Sequence, residues 1–290
     1  MADTNKKIWT DTIMEGFIPD GSFLSESVDM TALVEYNTIY LAEAGIEPNV
    51  LFDNNTYPIA VATREDIPKQ ISLHTLDTEN TVVRNVEKIE SSFDKLKSVT
   101  EGHKNALYRK SCAYAAHAWA PMEDSLQTPV LMIAGGASQL GYAKVSFEDF
   151  LALESKYRSM DVPMDKLVAV LHANHLADLM AEDKKLYKDV MASGKLFSFK
   201  LFSTSVLPVY NASTKKKKAF GAAADPANDA PASITFCSTE VMRADGDMEM
   251  FLNEKDATQR GDVIGFQKRF TALPIRGKYN GAIVTPKATV

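Results

Sequence analysis

Cysteine is nearly missing. The 290 residues contain two, Cys112 and Cys237, so neither a disulfide framework nor a zinc ribbon can be built from them. No run of 18 apolar residues occurs, and the opening MADTNKKIWTDTIMEGF lacks the apolar core of a secretion signal. A helical membrane span and a leader are therefore not expected. Base is not in excess either. Thirty-two Lys and Arg stand against 38 Asp and Glu, and the net charge of −6 leaves no global basic footprint for nucleic acid or anionic lipid. What is present is ordinary for a folded chain: 45% hydrophobic and 24% charged residues exclude wholesale disorder. The length exceeds what one core needs and suits two intimate subdomains. A soluble, mildly acidic cytosolic protein is the expectation.

Residues 1–56 do not read as a domain. An apolar stripe of Met30, Leu33, Val34, Leu41 and Ala44 predicts a helix from Asp29 to Ala44, closed by Gly45 and Pro48. Before it, GFIPDGSF carries Phe17, Ile18, Phe23 and Leu24 on a Gly/Pro-punctuated extended stretch. An arm with such groups and no core must bury them on something else. Residues 57–85 then turn to strand: YPIAVATR and QISLHTLDTENTVVRN predict a two-stranded ribbon, marginal unless it lies on another surface. Val86, Ile89, Phe93, Leu96, His103 and Leu107 keep helical phase, which predicts a rod over residues 86–118, roughly 33 residues and about 50 Å, with Gly102 as a place for a bend.

Beyond Pro121 the pattern is mixed. Strands are predicted at Thr128–Ala134, Lys166–His172, Leu196–Phe202, Ser205–Val209, Ser233–Cys237, Val263–Leu273 and Tyr279–Val284. Ser146 with Asp149 forms a capping box for a helix through Tyr157, and Asn174–Ala181 reads as a short capped helix. Residues 211–231, with Lys215–Lys218 among Ala, Gly and Pro, read as a low-complexity, mobile surface loop.

Chemistry is scarce. His172, His175 and Asp178 could hold a metal, but helix-start polar groups account for them better. Gly135-Gly136 and Gly141 form neither GxGxxG nor a P-loop, and no GxSxG nucleophile elbow is present. Two glycosylation sequons, at Asn54 and Asn211, lack a secretory context. The tetralysine is weighed as a solvated loop against a polyanion contact. Asp77 and Glu79, near Arg64 and Arg84, read as ion-pairing groups on an exposed ribbon and not as a general acid/base pair. No catalytic residue, cofactor or metal is assigned.

The order of parts resembles the major capsid protein of tailed bacteriophages, the Hong Kong 97-type fold. TLDTENTVVRNVE resembles the returning strand of that family's extended loop, and FEDFLALESKYRSMDVPMDKLVAVLHANHLADLM its helix–turn–strand–helix passage. GKLFSFKLFSTSVLPVYN resembles its G-x-L-x-G-F-x-V-x-x-S-x-x-L-P segment, with Ser198 where glycine is common, and RGDVIGFQKRFTALPIRGKYNGAIV its terminal strands. The resemblance implies an α+β fold with an N-terminal arm (1–56), an extended loop (57–85), a spine helix and peripheral domain (86–145), an axial domain (146–259) and return strands to the peripheral domain (260–290). It implies a non-enzymatic subunit that assembles with itself into hexamers and pentamers of a virion shell, in the host cytoplasm. Because no long helical segment precedes the arm, it also implies a separate scaffolding protein, beside a portal and weak non-specific contact with encapsidated dsDNA, and no membrane. Phe17, Ile18, Phe23, Leu24, Arg64, Lys69, Asp77, Glu79 and Arg84 are the expected inter-subunit contacts. Lys69 lies in the loop from which some members crosslink, but no partner can be named for it. Two alternatives stand beside this: an encapsulin-like compartment shell, and a cytosolic metal-dependent hydrolase using His172, His175 and Asp178.

Overall fold

A computed structural model describes residues 17–18, 21–43, 52–55, 57–58, 67–84, 94–138 and 141–288. Its longest helix, α1 (Asp94–Trp119), is wedged between two sheets. At 1.5 Å per residue it runs about 39 Å. It passes through Gly102 without a break. The expected helical residues 86–93 lie outside the described residues.

The first sheet has five strands: β1 (Val28–Asp29), β13 (Val241–Asp256), β14 (Gly261–Pro274), and β5 (His74–Asp77) with β6 (Thr81–Arg84) both on the far edge of β14. The β13–β14 hairpin is its backbone. The second sheet runs β7 (Val130–Met132), β15 (Asn280–Val284), β12 (Asp229–Cys237), β8 (Leu167–Leu171), β10 (Phe199–Ser203), β9 (Lys195–Leu196), with β11 (Val209–Asn211) on β12. Within residues 260–290, β14 thus belongs to the first sheet and β15 to the second, so the chain crosses between sheets at residues 275–279.

Strand β8, LVAVL, is buried along its whole length because both of its faces are covered. Side chains alternate across a strand. Leu167, Ala169 and Leu171 face a core with Phe150, Leu153 and Tyr157 of α2 (Phe147–Ser159), Leu179 of α3 (Ala173–Glu182) and Val190 of α4 (Lys184–Ser193). Val168 and Val170 face Trp119, Ala115 and Ala116 of α1, together with Ile234 and Phe236. At Gly281 a Cβ would lie 2.6 Å from the Tyr157 hydroxyl and 2.8 Å from Thr235 Oγ1, so only glycine lets those two groups bond each other at 2.8 Å.

The capping box forms as read: Ser146 Oγ accepts from the Asp149 N–H at 3.3 Å, and Asp149 Oδ2 accepts from the Ser146 N–H at 2.8 Å. Ser146→Ala is expected to lower stability by about 1 kcal/mol, read as a shift in urea midpoint. An unchanged midpoint would mean that the core contacts of Phe147 and Phe150 fix the helix start unaided.

Several expectations are corrected. Residues 29–44 are not a helix. A single 3-10 turn, Thr31–Leu33, leads into β2 (Val34–Glu35) and β3 (Thr38–Glu43), joined by Tyr36 and Asn37 at φ of 46° and 63°. Two successive left-handed residues make a tight hairpin turn that matches strand twist. Ile39 is buried against Leu73 and Ala244 while Tyr40 stands in solvent, the alternation of a strand. The ribbon is also partnered differently. β3 pairs with β4 (Ile67–Ser72), whereas β5 and β6 lie on β14 and so belong to the body of the molecule. The expected strand at 57–64 falls almost wholly outside the described residues. Helix α4, opened by Asp183 and closed by Gly194 at φ 67°, and strand β13 both lack a sequence-based counterpart.

Candidate functional site

Four arm residues expected at a subunit interface sit instead in or against this chain's own core. Phe17 is buried edge-on to Tyr108, with the Lys268 ammonium 3.7 Å from its ring centroid, and Ile18 packs beside it. Phe23 lies edge-on to Trp119, and Leu24 has no exposed surface. The apolar arm needed a surface to cover it, and α1 with the β13–β14 hairpin supplies that surface. Tyr108 donates to Ser22 Oγ at 2.5 Å, and burial pushes its phenol up to about 12.

Charges complete the attachment. Arg243 reaches Asp29 and Asp245, each at 2.7 Å, and donates from Nε to the Leu24 carbonyl; Lys268, with no exposed surface, meets Asp245 at 2.5 Å. Burial raises the Asp29 carboxyl, but bonds from the Thr31 hydroxyl and N–H and from Arg243 outweigh it and leave the carboxyl below its usual range. Neither Arg243 nor Lys268 was singled out from sequence. For Lys268 a signal was there, since it lies on a strand, Val263–Leu273, that otherwise reads as buried.

Of the ribbon charges, Arg64 lies outside the described residues, and Lys69 is opposite Leu41 in the β4–β3 ladder. Asp77 and Glu79 are exposed, and Asp77 accepts from Gln267 Nε2 at 2.6 Å. Along β14, Arg84 is opposite Gly261 and Asp77 opposite Gln267. Six residues of strand set these two backbone positions about 20 Å apart.

The histidine cluster is structural. His172 is the N-cap of α3, its Nδ1 accepting from the Asn174 N–H at 3.2 Å. His175 is fully buried, with Nδ1 2.6 Å from Ser233 Oγ and Nε2 2.9 Å from Thr285 Oγ1, so both ring nitrogens are occupied. Burial, with the neighbouring His172, pulls its pKa to about 3. Asp178 accepts from the Val145 N–H at 3.3 Å, and burial raises its carboxyl. No group of three metal-ligating side chains occurs among the described residues. Each of the three side chains on which a hydrolase was expected to rest makes a hydrogen bond within the chain.

Residues 211–231 are tied down rather than loose. Lys217 Nζ donates to the carbonyls of His117 and Ala120 at 2.7 and 2.5 Å, which caps the end of α1, and burial pulls its ammonium down to about 8. Lys218 pairs with Asp229 at 2.6 Å and Lys216 with Glu123 at 2.7 Å. Three of the four lysines are thus engaged within the chain. Ser198, where the family commonly has glycine, donates from Oγ to the buried Glu154 at 2.9 Å, beside Phe197 at φ 53°.

Apolar surface is left open mainly elsewhere. On the β2–β3 hairpin Tyr36 is completely exposed and Tyr40 is 62% exposed, with Leu33 at 54% in the turn before it; Leu126 and Phe52 are open too. No helix among the described residues is long and apolar enough to cross a membrane.

Two sheets packed against the long helix α1 make a mixed α+β fold. No protein-family model and no curated protein matches the sequence. Solved structures do. The capsid of Ralstonia phage GP4 is similar over 91% of this chain and 88% of its own, with a TM-score of 0.64 at 10% identity. The capsid of cyanophage P-SCSP1u is similar over 89% and 86%, with a TM-score of 0.59 at 16% identity. A virus-like particle from Pyrococcus furiosus is similar over 96% and 99%, with a TM-score of 0.59 at 9% identity. The chain has the Hong Kong 97-type capsid fold.

Proposed function

We propose that this chain is the major capsid protein of a tailed bacteriophage, a structural subunit that assembles with itself into the icosahedral shell around the DNA genome. One observation carries the reading: the similarity to solved phage capsids extends over nine-tenths of the chain. The domain roles follow from it. The β2–β3–β4 segment acts as the extended loop, α1 with the β13–β14 hairpin as spine and peripheral domain, and the seven-stranded sheet with α2, α3 and α4 as axial domain. Hexamers and pentamers, a scaffolding protein, a portal and weak contact with packaged dsDNA belong to this reading, as does assembly in the host cytoplasm. The Pyrococcus furiosus match supports a second reading, a shell that is not a phage head.

Negative-stain microscopy of the expressed protein should show shells or capsomer rings. Discrete monomers at every concentration would overturn both readings, and the nucleic acid in particles from their native source separates them. The hairpin gives a sharper test. Tyr36 and Tyr40 each offer on the order of 100 Å² of apolar surface to a neighbour, about 2–3 kcal/mol per contact. The double variant Tyr36→Ser with Tyr40→Ser should keep its monomer stability within about 0.5 kcal/mol and raise the concentration needed for assembly more than tenfold. Assembly at the original concentration would place the hairpin outside the interface.

A further inference from the structure

Strand β9 turns into β10 through two residues, because Leu196 is opposite Phe199. The first of them, Phe197, has φ 53°, a left-handed value that such turns normally give to glycine. A buried carboxylate holds the turn. Glu154, 4% exposed, accepts from the Ser198 hydroxyl at 2.9 Å and from the Ser198 N–H at 3.4 Å, and Arg158 Nε donates to it at 3.1 Å. The Phe197 ring, for all this, is 45% exposed. An aromatic side chain kept at the cost of backbone strain and left facing solvent points to a contact beyond the chain.

A receptor for that ring exists on the same chain. Ala113 and His117 of α1, Leu207, Val209, Phe220 and Ala222 line a largely apolar pocket of about 320 Å³, at the small end for ligand sites and suited to a single ring. Polar bonds hold its walls in place. His117 Nε2 lies 2.8 Å from the Lys218 carbonyl, Lys218 Nζ donates to the Ala223 carbonyl at 2.7 Å, and the Asp225 N–H donates to Asp229 at 2.6 Å. Phe220 presents its ring edge-on to His117. Charge matches as well. Residues 190–203 carry Lys195 and Lys200 and no acid, whereas the pocket's loop, residues 218–229, carries Asp225 and Asp229 against Lys218. Lys200 is paired with Glu26 and Lys218 with Asp229, which leaves Lys195 and Asp225 as opposite charges. A chain cannot fill its own pocket. Lys200 is level with Val168 and Val168 with Phe236, while Asp229 lies seven residues back along β12, about 23 Å from that level and on the side away from Phe197. We propose that Phe197 of one copy enters this pocket on a second copy, with Lys195 towards Asp225. The proposal rests on the reading of the chain as self-assembling. Because the two surfaces differ, the contact runs head to tail, the kind that closes rings.

Full-length Phe197→Cys and Ala222→Cys chains, prepared separately and mixed, should form a disulfide-linked dimer on mild oxidation, and neither should do so alone. Cys112 and Cys237 are buried and stay out of this reaction. Phe197→Gly suits the left-handed φ, so the urea midpoint of the dilute chain should not fall. The concentration that variant needs for assembly should nevertheless rise more than about tenfold, as for loss of a buried aromatic anchor. Ala222→Trp fills the pocket and should have the same effect. Assembly of Phe197→Gly at the wild-type concentration would overturn the proposal, and so would a fall in its midpoint, which would give Phe197 a role inside the chain. Shells without the mixed cross-link would overturn the contact and leave the shell reading standing. A mixed cross-link between chains that never form shells would uphold the contact and overturn that reading instead.

Discussion

Replacing Asp245 by alanine should destabilise the chain by about 3–5 kcal/mol, the usual cost of removing one partner of a buried ion pair. Lys268 has no exposed surface, and its ammonium lies 2.5 Å from Asp245 and 3.7 Å from the Phe17 ring centroid. Burial lowers the Lys268 ammonium and Asp245 raises it again, so removing the carboxylate takes away a group that offsets the burial cost. Arg243 would lose one of its two carboxylates at the same time. The control is Lys268→Met, which fills a similar volume without charge. Asp245→Ala with Lys268→Met should recover at least half of the loss, measured by urea midpoint, because no buried ammonium remains. Equal destabilisation of the single and double variants would mean that Asp245 acts mainly through Arg243 and the arm backbone, not through Lys268. The single variant should also expose the arm, with faster proteolysis near Phe17 and Phe23 than in the double variant.

That network shows what local patterns do not reveal. Arm and hairpin residues that meet in it are more than 200 positions apart, Asp29 with Arg243 for instance, and no periodicity connects them. The capping box of α2 was legible because it is complete within four residues, Ser146 to Asp149. The helix expected at residues 29–44 shows how a pattern misleads. Met30, Leu33, Val34 and Leu41 satisfy a 3.6 period, but the left-handed pair Tyr36-Asn37 turns the chain, and Ile39 in, Tyr40 out gives the true period of two. Strand β13 was readable and went unread. Its Met248, Met250 and Leu252 join the Phe17 core and alternate with Asp247, Glu249 and Phe251, and the charge of the outward positions masks a half-buried ribbon.

Burial of the arm residues was legible too, though not its location. The need of Phe17, Phe23 and Leu24 for cover follows from their chemistry, whereas which surface supplies it is tertiary information. The same distinction bears on the lysines. A run of four reads as solvated, yet the carbonyl ends of α1 at His117 and Ala120 need a donor, and Lys217 reaches them. Such a partner is visible only once helix and loop are folded together.

Acid should unfold the subunit through His175. In the folded chain its pKa is about 3, against about 6.5 when unfolded, because a charged imidazole cannot be solvated between Ser233 and Thr285. The folded-state value is depressed, so the unfolded chain binds the extra proton in the window between. Stability from this group is therefore full above pH 6.5 and falls as pH drops towards 3, by up to about 1.4 kcal/mol per unit and about 5 kcal/mol in all. Burial also lowers His103, His117 and His172, which add to the slope in the same direction. Asp178, whose carboxyl is raised by burial, works against it, with its effect confined to the range near and below the ordinary carboxylate value. The window from pH 6.5 to 5 thus belongs to the histidines. Urea midpoints at pH 7, 6 and 5 should fall steadily in wild type. His175→Gln keeps one of the two hydroxyl bonds, so it should be less stable at pH 7 by about 1–3 kcal/mol, yet lose about one proton's worth of slope. At pH 5 the gap between the two proteins should have narrowed or closed. Parallel lines for wild type and variant would show that His175 is protonated in the fold, and the reading of it as a neutral bridge between β12 and the segment after β15 would fail.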